Sequence, residues 1–150
     1  MGDIKKKQKN FRAPRKLFDS ARIAEENRIV LEYGLKNKKE IWKAESKVSK
    51  IRRRAKSLIP KTDEERKSFF EKLNKEGFKI RNTADALALT TKDLLERRLQ
   101  TFVFKKNLAN SPKEARQMIV HKKIAVDGKI VNIPSYFIES AEENKITVVG

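Results

Sequence analysis

One histidine, His121, stands in a chain of 150 residues that contains no cysteine. An imidazole can act as a general base or bind a metal, but both tasks need partners. A nucleophilic relay needs a thiol or hydroxyl beside the base, and no thiol exists here. A structural zinc site needs four ligands, usually cysteine and histidine, which one histidine and no cysteine do not supply. The run Asp63-Glu64-Glu65 follows Thr62 and reads as a helix start, where acids complement the helix dipole, rather than as a metal cluster. Gly2, Gly34, Gly77, Gly128 and Gly150 lie too far apart for a phosphate-cradling or dinucleotide loop. No catalytic residue, metal or cofactor is therefore expected, and His121 reads as a polar surface or contact group.

The chemistry in surplus is cationic. Lysine and arginine number 37 against 20 acids, for a formal net charge of +17. Such a field attracts polyanions, so nucleic acid or an anionic membrane is the default partner. No apolar run approaches the roughly 20 residues of a membrane span. The large apolar face of an interfacial helix is also missing. The N-terminus, MGDIKKKQKNFRAPRK, has no apolar segment after its charges, unlike a secretory signal. Residues 1–60 carry a net +12 and residues 95–137 a net +6, with a nearly neutral stretch between them. One surface built from both basic regions, or two surfaces, fits this distribution.

The elements that must position these cations follow from periodicity and caps. Residues 1–16 are basic, poor in apolar groups and read as a flexible arm that orders on its partner. Asp19 caps a helix to about Tyr33, with Gly34 as its stop. Asn37 with Glu40 reads as a capping box for a second helix that Pro60 ends. On it Ile41, Ala44, Val48, Ile51, Ala55, Leu58 and Ile59 share one arc, while Arg52, Arg53 and Arg54 lie outside it as a solvated basic face. Trp42 lies opposite the stripe and is expected to pack. Thr62 with Glu65, Asn82 with Asp85, and Thr90 with Asp93 mark three further helix starts. LLERRLQTFVF reads as one helix, with Arg98, Thr101 and Lys105 on a polar arc and Arg97 at its edge. Ser111, Pro112 and Glu114 open another, whose outer side carries Lys113, Arg116, Gln117 and His121. Its N-terminal N–H groups suit phosphate. IAVDGKIV then reads as a hairpin about Asp127-Gly128. NIPSYFI starts a strand or runs along an edge, because Pro134 cannot donate to a ladder. EENKITVV carries a last strand signal. The fold class is α+β: a mainly helical domain over 17–93, joined by 138–150, and a small helix-helix-hairpin module over 94–137.

Three stretches, LLERRLQTFVF, SPKEARQMIVHKKIAVDGKIV and NIPSY, together resemble the alpha-L RNA-binding module. That pattern joins an Arg-Arg-Leu helix to an Ala-Arg-Gln-x-Ile-x-His helix and a valine-led hairpin. GLKNKKEIWKAE and DLLERRLQT resemble the archaeal and eukaryotic branch of the small-subunit ribosomal protein four family. The resemblance implies a non-enzymatic constituent of the small ribosomal subunit, cytoplasmic within the ribosome. It implies direct binding to the 5′ domain of 16S-type rRNA early in assembly. It also implies a place beside neighbouring small-subunit proteins and the mRNA entry channel, with an effect on decoding accuracy. Carried over by position, the RNA contacts are Arg97, Arg98, Lys113, Arg116, Gln117 and His121. Lys122 and Lys123 stand where many relatives have glycine, and add two cations. An assembly factor binding a small nucleolar RNA shares this fold plan. An RNA-modifying enzyme with the same module appended would need a catalytic domain, and the residues before 94 are helical and basic.

Overall fold

The computed structural model describes residues 9–149; the first half of the expected arm, residues 1–8, lies outside them. Helix α1 (Ser20–Tyr33) begins where the Asp19 carboxylate accepts the Arg22 N–H at 3.3 Å, and ends at Gly34 in the left-handed region. Helix α2 (Lys39–Leu58) starts differently from the expected Asn37–Glu40 box. Lys38 precedes it without a side-chain cap, and the Glu40 carboxylate accepts the Lys36 N–H while facing arginines from distant helices. Ile41, Val48, Ile51, Ala55 and Leu58 are buried along one side, as the period requires. Ile59, expected on the same stripe, is 55% exposed, because the helix has ended before it. Helix α3 (Asp63–Lys75) follows Thr62, whose hydroxyl makes no cap bond; Glu65 pairs with Lys61 instead. Helices α4 (Thr83–Ala88) and α5 (Thr91–Glu96) are short, six residues each, and are set by their caps. Asp85 accepts the N–H groups of Arg81 and Asn82, and Thr90 and Asp93 close a reciprocal box. Their apolar sides meet α2 and α3 in one core with Phe78 and Ile80.

The single helix expected through LLERRLQTFVF is broken. Arg98 is extended, with φ −83° and ψ 146°, between α5 and helix α6 (Leu99–Lys105). The cause lies 40 residues on, in the NIPSYFI stretch, which supplies backbone partners a continuous helix would refuse. Leu99 N–H donates to the Tyr136 carbonyl at 2.8 Å, Gln100 N–H to that of Pro134, and Ile138 N–H to that of Arg97. Arg98 and Phe137 form a lone antiparallel bridge. NIPSYFI is thus a turn that caps α6, rather than the strand or sheet edge expected.

Helix α7 (Pro112–Val120) opens on Ser111, whose hydroxyl accepts the Glu114 N–H at 3.1 Å. Strands β1 (Ile124–Val126) and β2 (Lys129–Ile130) form the expected hairpin, with φ of 51° at Asp127 and 75° at Gly128. Strand β3 (Ile146–Val148) pairs with the other side of β1, giving the order β2-β1-β3. Ile138 and Ile146 enter the same core as Leu99, Val103, Ala115, Ile119 and Ile124. The segment after 137, expected with the N-terminal helices, therefore contributes its strand and two core residues to the module. It also touches the helices, through Ser140 N–H to the Lys75 carbonyl and Phe137 against Phe78. The α+β class stands: seven helices with a three-stranded sheet among the described residues.

Candidate nucleic-acid interface

The break at Arg97-Arg98 turns both guanidinium groups inward. Arg97 Nε donates to the Glu76 carbonyl at 3.1 Å and Nη2 to that of Ile138 at 2.8 Å, while Nη1 pairs with Glu143. Its cationic carbon lies 4.9 Å from the centre of the Phe102 ring. Gly77 makes room for it: φ is 87°, and an added Cβ would collide with the guanidinium. Arg98 is 8% exposed and pairs with Glu40. Thr101 lends its hydroxyl to the Leu95 carbonyl at 2.8 Å. The arc expected to face RNA is therefore corrected at Arg97, Arg98 and Thr101, which are held by backbone carbonyls and carboxylates. Lys105, at its end, is exposed and paired with Glu96.

Arg116 also turns from the expected outer face. It reaches Glu40 at 3.1 Å and the Gln100 carbonyl oxygen at 3.2 Å. Glu40 thus joins α2 to the entry of α6 and to α7. Burial raises the pKa of this carboxyl, but the hydrogen bonds and charges of Arg98 and Arg116 outweigh it and hold the pKa below the ordinary value. Beside it Gln100, 1% exposed, donates to the carbonyls of Tyr33, Gly34 and Pro112. Neither Glu40 nor Gln100 is conspicuous on a helical wheel. The one signal for Glu40 is an acid alone among Lys36, Lys38, Lys39 and Lys43.

Lys113, Gln117, His121, Lys122 and Lys123 are exposed on α7 and the turn after it. Lys122 has φ 61°, the left-handed conformation glycine adopts freely. The N–H groups of Lys122 and Lys123 close the helix end on Ile119 and Met118 carbonyls. At the other end of α7 the expected row of free N–H donors is reduced. Ser111 takes that of Glu114, Glu114 takes that of Asn110, and Pro112 has none. Val120, offered no cover by the strands, is 53% exposed.

On α2, Arg52, Arg53 and Arg54 are all exposed. Arg52 donates to the Leu89 carbonyl at 2.6 Å and Arg54 lies over the Phe69 ring. Among the described residues no carboxylate pairs with Arg53, Arg54, Lys113, Lys122 or Lys123. What the arrangement offers is two sets of unneutralised cations on the outside, one on each unit, held by arginines on the inside. No described helix is long and apolar enough to cross a membrane.

A basic helix-helix-hairpin with its strand and caps defines a class, and residues 97–144 match the S4 domain family. The likeness then extends to the N-terminal helices. The chain is 44% identical to the small ribosomal subunit protein uS4 of Methanococcus aeolicus, over 98% of this chain and 87% of that protein. It is 46% identical to uS4 of Saccharolobus islandicus, over 97% of this chain and 84% of the relative. For uS4 of Methanothermobacter thermautotrophicus the figures are 44%, 97% and 89%. The chain belongs to the uS4 family.

Proposed function

We propose that this protein is a structural, non-enzymatic constituent of the small ribosomal subunit in the cytoplasm and binds 16S-type rRNA directly. The observation that carries this reading is the set of exposed cations without carboxylate partners, Arg53 and Arg54 on α2, Lys113 on α7 and Lys122 and Lys123 just after it, in a chain of the uS4 family. Cations of this kind neutralise phosphates and release counterions, which binds RNA by charge and shape rather than by a base code. Gln117 and His121, exposed beside them, supply hydrogen bonds to sugars or base edges. Lys105 adds a cation shared with Glu96, and Arg52 one anchored on Leu89. Arg97, Arg98, Thr101 and Arg116 act behind this surface, holding the helices that present it. Support of early assembly and of decoding accuracy, contacts with neighbouring small-subunit proteins, and proximity to mRNA at the entry channel belong to the same reading.

The test is a salt titration of binding to a 16S-type 5′-domain transcript, paired with sedimentation alongside small subunits. The logarithm of affinity should fall linearly with the logarithm of salt, with a slope of about 0.7–0.9 per phosphate neutralised. A flat response, or absence from mature subunits, would refute the assignment.

A further inference from the structure

The chain holds one tryptophan, which packs as expected against the edge of the cluster of Ile29, Tyr33, Leu35, Ile41 and Leu95 but is not sealed within it. Trp42 is half-buried on α2, with part of its ring left uncovered. Its indole N–H donates to Glu26 at 2.9 Å, and Glu26 is itself buried and held by Arg22 and Lys38. The ring is thereby fixed in orientation. It borders a cleft of about 950 Å³ between residues 9–15 and the α1–α2 pair. That volume is within the roughly 300–1,000 Å³ typical of ligand clefts. Phe11 leans on the indole with ring centres 6.0 Å apart and planes 34° from parallel. Among the described residues no hydrogen bond joins residues 9–15 to the helices, so this cover is held by side-chain packing alone. Arg12, Lys50 and Arg53 line the cleft, and of its ionisable lining groups seven are cationic against the three carboxylates of Glu25, Glu26 and Glu45.

We propose that this cleft takes one unpaired ribonucleotide, with its base stacked on the Trp42 indole in the place Phe11 now holds and its flanking phosphates against Arg12, Lys50 and Arg53. The inference rests on the RNA-binding reading above and adds a site outside the matched domain. An oriented aromatic face with cations about it is the arrangement that holds single-stranded nucleic acid, because every base has a face to stack. A duplex cannot enter, since its bases are already stacked. Ser46 and Ser49, on the α2 wall of the cleft, offer hydroxyls to a base edge or ribose.

Because Trp42 is the sole tryptophan, its emission reports this cleft alone. The full chain is titrated with a short single-stranded RNA lacking self-complementarity, and with a blunt RNA duplex, while fluorescence and the anisotropy of labelled RNA are followed together. The single strand should quench Trp42 in parallel with its binding curve, and the duplex should bind without quenching. Trp42→Phe should keep single-strand affinity within about three-fold, and Trp42→Leu should lower it by about ten-fold or more. Both variants lose the bond to Glu26, so any difference between them belongs to stacking. Binding with unchanged emission, equal quenching by the duplex, or equal loss in both variants overturns the site and leaves the function intact. Failure of the single strand to bind overturns the site as well, and failure to bind the 16S-type 5′-domain transcript overturns the function with it.

Discussion

A guanidinium carries five N–H donors, and a cation so equipped is as useful to a protein interior as to a phosphate. Arg97 and Arg98 occupy the interior. Their neighbours in sequence gave no warning, because a helical wheel drawn through an unbroken helix puts Arg98 on the polar arc. Arg98→Ala should strip Glu40 of one partner and cost roughly 3 kcal/mol of stability, measured by urea unfolding. Lys113→Ala should leave the urea midpoint unchanged and reduce the salt slope of RNA binding by about 1. Equal effects of the two on stability would return Arg98 to the surface. At Lys122 a lysine is held at φ 61°. Lys122→Gly should raise stability by about 1 kcal/mol and still weaken RNA binding, so that the thermal midpoint and the affinity move in opposite directions.

Elements whose boundaries are local were readable in advance. Asp19 and Gly34 frame α1, Thr90 with Asp93 starts α5, Ser111 starts α7, and Asp127-Gly128 turns the hairpin, because each signal lies within a few residues of its effect. Elements decided from a distance were not. The α5–α6 break depends on carbonyls at Pro134 and Tyr136, and the place of β3 depends on β1 having a free second edge. The candidate interface divides in the same way. Exposed Lys113 and Gln117 on α7 follow from its period, whereas Arg97, Arg98 and Arg116 depend on carboxylates far along the chain. A chain ending at residue 137 tests the role of the last segment. It lacks Ile138, Ile146, Glu143 and the partner of β1, and burying each isoleucine is worth about 1.5–3 kcal/mol. Such a chain should lose cooperative thermal unfolding of the module, followed by circular dichroism. Retention of a sharp transition would show that the module is complete without it.

Among the described residues two acids, Glu26 and Glu40, each gather two cations. Glu40 receives Arg98 and Arg116 from elements far apart in sequence, and Glu26 receives Arg22 and Lys38. In Glu26 too, burial raises the pKa but the Trp42, Arg22 and Lys38 contacts bring it below the ordinary value. A folded pKa below the unfolded one means that the stability from these groups is full above pH 4.5 and is lost as pH falls through the lowered values. Urea midpoints should therefore decline on acidification below about pH 4.5, and less steeply in Glu40→Gln than in the parent chain. A decline of the same slope in both would show that Glu40 carries no such linkage.

The sheet has a consequence for the protein before it meets any RNA. Its order β2-β1-β3 leaves two open edges, of two and three residues, with Ile130 and Val148 exposed on them. Open edges invite pairing between molecules, but edges this short offer too few backbone groups to template a second sheet, and Lys129 and Lys145 put charge beside each. Together with mutual repulsion at +17, this disfavours edge-to-edge pairing between free chains.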